Sequence, residues 1–111
     1  MSPPERPTGL PLTFVAFTNR FPEIEAAHER VARAVEAAGP LDAKARELIK
    51  IGIAAGAGLE SAVQSHVRRA KEKGASREEI EQAILLTMNT CGFPRMVAAW
   101  QWAQREIEPG S

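Results

Sequence analysis

Residues 41–84 read LDAKARELIKIGIAAGAGLESAVQSHVRRAKEKGASREEIEQAI, and this stretch decides the fold. It contains no proline and no strand-like alternation of apolar and polar residues. Asp42 is placed to cap a helix at its start, and Gly74 is placed to end a second one. Ser76 and Glu79 have the spacing of a capping box, which satisfies backbone N–H groups in the first turn of a third helix. The stretch therefore predicts three consecutive helices.

The prolines on either side of this stretch mark further helices. Pro22 opens a helix predicted to reach Ala38, and Pro94 opens the last helix, because proline is tolerated in a first helical turn. The helix that starts at Ser76 is predicted to continue to Cys91, where Gly92 stops it.

We expect an all-α fold, a compact helical bundle of about five to six helices. Residues 1–20 are interpreted as an N-terminal arm or short helix, since the apolar run Leu12–Phe17 is too short to decide between the two. Residues 21–108 are predicted to form a single helical domain.

The composition limits the class of protein. The 111 residues carry 14 Lys and Arg against 14 Asp and Glu, so the net charge is zero. A nucleic-acid or anionic-membrane binder needs a surplus of cations, and we therefore expect neither partner. The chain has one Cys, which excludes a disulfide framework. No apolar run approaches a membrane span, and the start MSPPERPTGLPL lacks the pattern of a signal peptide, so we expect a cytoplasmic protein.

The apolar residues include many alanines, four Phe and two Trp. A small all-α chain with an alanine-rich interior cannot bury all six aromatic side chains in one core. Aromatic residues are enriched at subunit interfaces, and we therefore expect a homo-oligomer.

His66 is the most informative single residue, because it lies on the apolar stripe of its helix between Val63 and Ala70. One interpretation is a structural histidine satisfied by a backbone carbonyl or a carboxylate. The other is a proton shuttle, since an imidazole changes charge near neutral pH.

Glu47 also has two interpretations. It is either a surface charge beside Lys44 and Lys50, or a carboxylate on a packed face and an acid–base candidate. Periodicity leaves both open.

Cys91 lies at the C-terminal end of a predicted helix and lacks the dipole of a helix N-terminus, so we expect a small core residue. His28 and His66 are far apart, with no carboxylate or Cys at ligand spacing, and no metal site is predicted.

Three segments resemble the carboxymuconolactone decarboxylase and alkylhydroperoxidase D superfamily. The run LDAKAREL at 41–48 is similar to its "L-D-x-K-x-R-E-L" opening. The runs SHVRRA at 65–70 and GASREEI at 74–80 are similar to "S-H-V-x-x-A" and "G-A-T-x-E-E-I", and GFPR at 92–95 resembles its "G-F-P" turn. The resemblance extends from about Leu41 to Trp102 with unbroken spacing, and it implies the fold of that superfamily.

The resemblance also implies which activity is missing. The peroxidase-like members carry a Glu, then Cys-x-x-Cys, then a His after three intervening residues. Counted from Glu47, the cysteine positions fall on Leu59 and Ala62, and the histidine falls on His66. Peroxide reduction needs a thiolate and a resolving thiol, so a dithiol peroxidase is not expected.

The decarboxylase members do not depend on that cysteine pair. The resemblance therefore favours a cofactor-free decarboxylase or lyase that acts on a small carboxylated, lactone-type substrate. His66 would be the acid, Glu47 would orient it, and Arg46 or Arg95 would hold a carboxylate. The resemblance suggests trimers or hexamers. The alternative is a non-catalytic oligomeric binding protein that kept the scaffold and lost the thiols. A redox role for Cys91 is the third hypothesis and ranks last.

Overall fold

The computed structural model describes residues 12–108, and within them the structure consists of helices joined by short turns, with no strand. The all-α prediction is therefore confirmed. Residues 12–108 contain seven helices: α1 (Leu12–Arg20), α2 (Pro22–Ala37), α3 (Ala43–Ala57), α4 (Glu60–Glu72), α5 (Arg77–Leu85), α6 (Met88–Cys91) and α7 (Phe93–Ile107). By its internal contacts the chain divides into two units, Met1–Pro40 and Leu41–Ser111. No helix among the described residues is long and apolar enough to cross a membrane.

The first unit contains α1 and α2. The segment that the sequence left open between helix and arm is helical from Leu12 onward, while residues 1–11 of the predicted arm lie outside the described residues. The rings of Phe17 and Phe21 lie 5.2 Å apart at the junction of the two helices, and the Arg20 guanidinium lies over the Phe21 ring. Helix α2 begins at Pro22 as predicted and contains no buried residue.

The second unit is built around α3, which contacts α4, α5 and α7. Helix α3 is therefore the central helix of this unit. Its buried face consists of Ile51, Ala54 and Ala55 together with Glu47. The remaining core residues come from the helices around it: Val63, Val67, Ala70, Ile80, Ile84, Met96, Ala99 and Ala103. Several of these are alanines, and small side chains let helix axes approach closely.

Local signals fix both ends of α3. The Asp42 side chain accepts a hydrogen bond from the Ala45 N–H at 2.8 Å, which confirms the predicted cap. Gly58 ends the helix at φ +73°, a left-handed conformation in which glycine is favoured. A Cβ at this position would also collide with the guanidinium of Arg95. Gly74 also has a left-handed conformation, with φ +89°, and it follows Lys73, the C-cap of α4.

The predicted continuous helix from Ser76 to Cys91 is wrong, because α5 ends at Leu85 and α6 begins at Met88. The break lies at the buried Thr87. Its hydroxyl and its backbone N–H both donate to the Ile84 carbonyl, at 2.7 and 3.0 Å. A side chain that bonds to a nearby carbonyl competes with the regular helical ladder, and here it tightens the chain into a turn.

The apolar side chains of α3 are not all buried. Ile51 is fully buried, but Ile49 is 48% exposed and Ile53 is 63% exposed. The apolar residues of α3 thus form one buried face and one exposed face in the single chain.

The predicted capping box of α5 is confirmed. The Ser76 hydroxyl accepts from the Glu79 N–H at 3.1 Å, and a Glu79 carboxylate oxygen accepts from the Ser76 N–H at 2.8 Å. The carboxylate also forms an ion pair with Lys44 of α3 at 3.0 Å. The box therefore links the start of α5 to α3.

Replacing Ser76 by Ala should lower the free energy of unfolding by about 1 kcal/mol, because the Glu79 N–H loses its acceptor. Urea denaturation monitored by helical circular dichroism measures this change. Ser61→Ala, an exposed serine in the first turn of α4, is the matched control. Equal stability of Ser76→Ala and the wild type would contradict the capping role.

The stability that Glu79 supplies should depend on pH. The backbone hydrogen bond from Ser76, and then the contact with Lys44, hold the pKa of Glu79 below its ordinary value of 4.5. Because the folded-state pKa is lowered, this stabilisation is complete above the ordinary value and is lost as the pH falls through the folded-state pKa. The stability advantage of the wild type over Glu79→Gln should therefore be present at neutral pH and vanish in acid, as measured by urea denaturation across pH. An advantage that grows on acidification would contradict this.

Candidate acid–base site

Glu47 lies on the buried face of α3, one turn before Ile51. It is 7% exposed, so the packed interpretation of this residue is the correct one. A buried carboxylate needs partners to replace water. Two side chains provide them, one from α4 and one from α3 itself.

The partner from α4 is His66. Its Nδ1 lies 2.8 Å from Oε2 of Glu47. The packing of α3 against α4 brings these residues together although they are 19 positions apart. The stripe that positions His66 on α4 includes the fully buried Val63 and Val67. The structure therefore joins the two residues that the sequence singled out separately.

The geometry fixes the roles of the two ring nitrogens of His66. A carboxylate accepts hydrogen bonds, so Nδ1 is the nitrogen that carries the proton toward Glu47. Nε2 makes no hydrogen bond to any residue within 12–108. The side chain is 19% exposed, which leaves an opening to solvent. An imidazole held in this way can accept or donate a proton at Nε2 while Glu47 keeps its orientation.

The second partner of Glu47 is Lys50, whose Nζ lies 3.8 Å from Oε1. Sequence reasoning missed this role, because Lys50 was interpreted only as part of a charged surface. The spacing of Glu47 and Lys50 could have indicated this ion pair, since residues three positions apart on a helix are neighbours. Each carboxylate oxygen of Glu47 thus faces one group able to carry positive charge.

The side chains of the two arginines proposed to hold a carboxylate bond to backbone carbonyls. The Arg46 guanidinium donates to the carbonyl of Leu41, just before α3. Arg95 of α7 donates to the carbonyl of Gly56, near the end of α3, at 3.4 Å. Gly56 is nine residues beyond Glu47, about 13 Å along the helix at about 1.5 Å per residue. Within the described residues, neither guanidinium forms a hydrogen bond or an ion pair with Glu47 or His66.

Leu59 and Ala62, at the positions of the missing thiols, lie at the start of α4. Leu59 is the N-cap residue and is 53% exposed, while Ala62 packs against the core. Within the described residues, no group of three or more His, Cys, Asp or Glu side chains has a geometry that could hold a metal ion.

Cys91 is exposed, so the expectation of a small core residue is wrong. It lies at the end of α6, where the Thr87 turn brings it close to α3. A Cβ placed at Gly56 would be 3.2 Å from its Sγ. Cys91 and Thr90 line one end of a groove of about 440 Å³ between α3, α5 and α6. Neither Glu47 nor His66 lines this groove.

The geometry thus defines an all-α protein in which a buried carboxylate is bonded to a partly exposed histidine. The match to known families is more specific. The model of the carboxymuconolactone decarboxylase family matches residues 22–105, more than half of the chain. The chain therefore belongs to the carboxymuconolactone decarboxylase family, as the resemblance of residues 41–102 predicted. No curated protein matches it.

The carboxylate should fix the tautomer of His66. In ¹⁵N-edited spectra at a pH where the ring is neutral, we expect the proton on Nδ1 in the wild type. In Glu47→Gln the amide can donate or accept, so we expect a mixture of tautomers. A wild-type spectrum with the proton on Nε2 would contradict the assignment of roles given above.

Proposed function

We propose that the protein is a cofactor-free decarboxylase or lyase that acts on a small carboxylated, lactone-type substrate, with His66 as its proton-transfer group. The observation that carries the proposal is the hydrogen bond between His66 Nδ1 and the buried Glu47 carboxylate. It leaves Nε2 as the reactive nitrogen on a partly exposed side chain. Membership of the carboxymuconolactone decarboxylase family supports the substrate class.

The proposed step needs only a proton and a place for the substrate carboxylates. Loss of CO₂ breaks a C–C bond and leaves its electron pair on the remaining carbon. The imidazolium form of His66 donates its Nε2 proton to that carbon, and the neutral ring then regains a proton from solvent. Glu47 acts as a positioning residue, because it holds the ring at Nδ1. Lys50 places an ammonium group 3.8 Å from Oε1 of the same carboxylate.

Arg46 and Arg95 are the proposed substrate-binding cations. A guanidinium has five N–H donors, and each arginine uses only one interaction with a backbone carbonyl in the described chain. Both therefore retain N–H groups for a carboxylate. Arg95 is exposed, and Arg46 is partly exposed.

Carboxymuconolactone is the first probe, with CO₂ release as the measurement. His66→Ala should reduce kcat by about 100-fold or more, because general acid–base catalysis contributes roughly 10²–10⁴. Glu47→Gln should reduce kcat with little effect on KM, as expected for a positioning residue. Helical circular dichroism checks that both variants fold. Arg69→Ala on the exposed face of α4 and Glu78→Gln on the exposed face of α5 are the matched controls and should keep wild-type activity.

Wild-type kcat in His66→Ala would contradict the proposal. Loss of activity in Cys91→Ser would also contradict it, because the proposed step does not use the thiol.

The second candidate is a non-catalytic oligomeric binding protein on the same scaffold. It is favoured by one observation, that Arg46 and Arg95 are bonded to backbone carbonyls away from His66. It predicts that small carboxylated lactones bind and are recovered unchanged. Calorimetric titration together with NMR of the bound compound distinguishes the two functions, because only the enzyme consumes its ligand.

A further inference from the structure

Lys50 is joined to the acid–base pair through Glu47. Its Nζ lies 3.8 Å from Oε1 of the Glu47 carboxylate, and Nδ1 of His66 lies 2.8 Å from Oε2. The ammonium and the imidazole are therefore neighbours of one carboxylate, each beside a different oxygen. Because a lysine ammonium ends a flexible four-carbon stem, a small ligand that touches the ring is within its reach.

The contact with Glu47 leaves the donors of Lys50 unused. An N–H···O hydrogen bond is about 2.7–3.2 Å long, so a separation of 3.8 Å makes this contact an ion pair and not a hydrogen bond. Within residues 12–108, Nζ of Lys50 makes no hydrogen bond. The side chain is 32% exposed, so the N–H groups of the ammonium can meet a ligand oxygen.

The other cations of α3 are bonded elsewhere. Lys44 is paired with a carboxylate of α5 at 3.0 Å, and the Arg46 guanidinium donates to a backbone carbonyl before the helix. Of the three cationic side chains between Ala43 and Ala57, Lys50 is the one joined to the acid–base pair. It can bind a ligand there without giving up a hydrogen bond.

The charges of Glu47, Lys50 and His66 favour an anionic ligand. The carboxylate and the ammonium cancel, so the imidazolium form of His66 leaves one net positive charge among the three groups. Without Lys50, the imidazolium and the carboxylate would sum to zero. Charges interact more strongly in a partly desolvated site than in bulk water, and the His66 side chain is only 19% exposed. Lys50 therefore supplies the positive charge that attracts an anion to the ring.

Small side chains lie next to this pair. Ala43 is one turn before Glu47 on α3, and Ala62 is one turn before His66 on α4. Both alanines are partly exposed. Their methyl groups leave room for a small ligand beside the ring.

We propose that Lys50 binds the carboxylate that the substrate keeps, while His66 protonates the carbon left by the loss of CO₂. This inference rests on the proposed function, because it adds Lys50 to Arg46 and Arg95 as a substrate-binding cation of the same site. It also makes the site selective for a substrate that has a second carboxylate besides the one that it loses.

The carboxylate that leaves is not the partner of Lys50. That group loses its charge as CO₂ forms, so a cation bound to it would stabilise the substrate more than the transition state. The retained carboxylate carries the same charge in both states. Lys50 should therefore contribute equally to the binding of both, which lowers KM and leaves kcat unchanged.

Muconolactone is the binding probe, because it carries the retained carboxylate and lacks the one that leaves, and its methyl ester is the neutral probe. In calorimetric titrations, Lys50→Met should weaken muconolactone binding about tenfold and leave binding of the ester unchanged. Lys50→Arg keeps the charge and should bind muconolactone within about threefold of the wild type. Muconolactone should also shift the ¹⁵N signals of the His66 ring, which places the ligand at this site.

Lys71→Met is the matched control. It removes a lysine of α4 whose Nζ donates to the carbonyl of Glu106 at 2.6 Å, and it should leave the affinity for both probes unchanged. Helical circular dichroism checks that each variant folds. If Lys50→Met unfolds, Lys50→Gln takes its place, because its neutral amide can donate to Glu47.

Steady-state kinetics with carboxymuconolactone tests the role of Lys50 in turnover. Lys50→Met should raise KM about tenfold and keep kcat within about twofold of the wild type, because the lost interaction is equal in substrate and transition state. A fall in kcat at constant KM would mean that Lys50 acts on Glu47 and not on the substrate, and it would contradict the proposal.

The binding results can overturn the assignment of Lys50 by themselves. Equal muconolactone affinity in Lys50→Met and the wild type would do so, as would a wild type that binds no muconolactone or shows no shift of the His66 signals. Equal weakening of the acid and the ester would mean that Lys50 only supports the shape of the site. Absence of CO₂ release from the wild type would instead contradict the proposed function alone, because muconolactone binding is measured without turnover.

Discussion

The close approach of α3 to its neighbours over small side chains is the constraint on which the second unit depends. Ala54 and Ala55 of α3 face a core that includes Ala70, Ala99 and Ala103, and four of these five alanines are fully inaccessible to solvent. Protein interiors are close-packed, so a larger side chain at these positions would force the helices apart. This packing brings α4 close enough for a short hydrogen bond to form between side chains of the two helices. The geometry of the acid–base site is therefore a consequence of how the core is packed.

Burying the Glu47 carboxylate costs desolvation free energy. A carboxylate that is 7% exposed has given up most of its hydration, and the His66 ring and the Lys50 ammonium replace it only in part. A hydrophobic residue at this position would complete the stripe formed by Ile51 and Ala54 at lower electrostatic cost. What the carboxylate adds is orientation, because it holds the ring through Nδ1 and leaves Nε2 without a partner in the described chain. That is the property on which the proposed chemistry depends.

Local signals made much of the fold predictable. Helix N-termini are indicated by Asp42 and by the pair Ser76 and Glu79, because these side chains bond to N–H groups only a few residues away. The break at Thr87 was not predictable in the same way. Threonine in a helix can direct its hydroxyl to a carbonyl in the preceding turn without ending the helix. Here the burial of Thr87, which depends on the surrounding helices, accompanies the tighter turn that separates α5 from α6.

For the candidate site, the sequence by itself determined which side chains are available and on which face of its own helix each one lies. It identified His66 on an apolar stripe and the absence of thiols at Leu59 and Ala62, and its motifs identified the family. Only the tertiary structure decided that Glu47 is buried and bonded to His66, that Arg46 and Arg95 bond elsewhere, and that Cys91 is exposed. The physical reason is that helical periodicity relates residues within one helix. Which face of one helix meets which face of another is set by packing between segments that are distant in sequence.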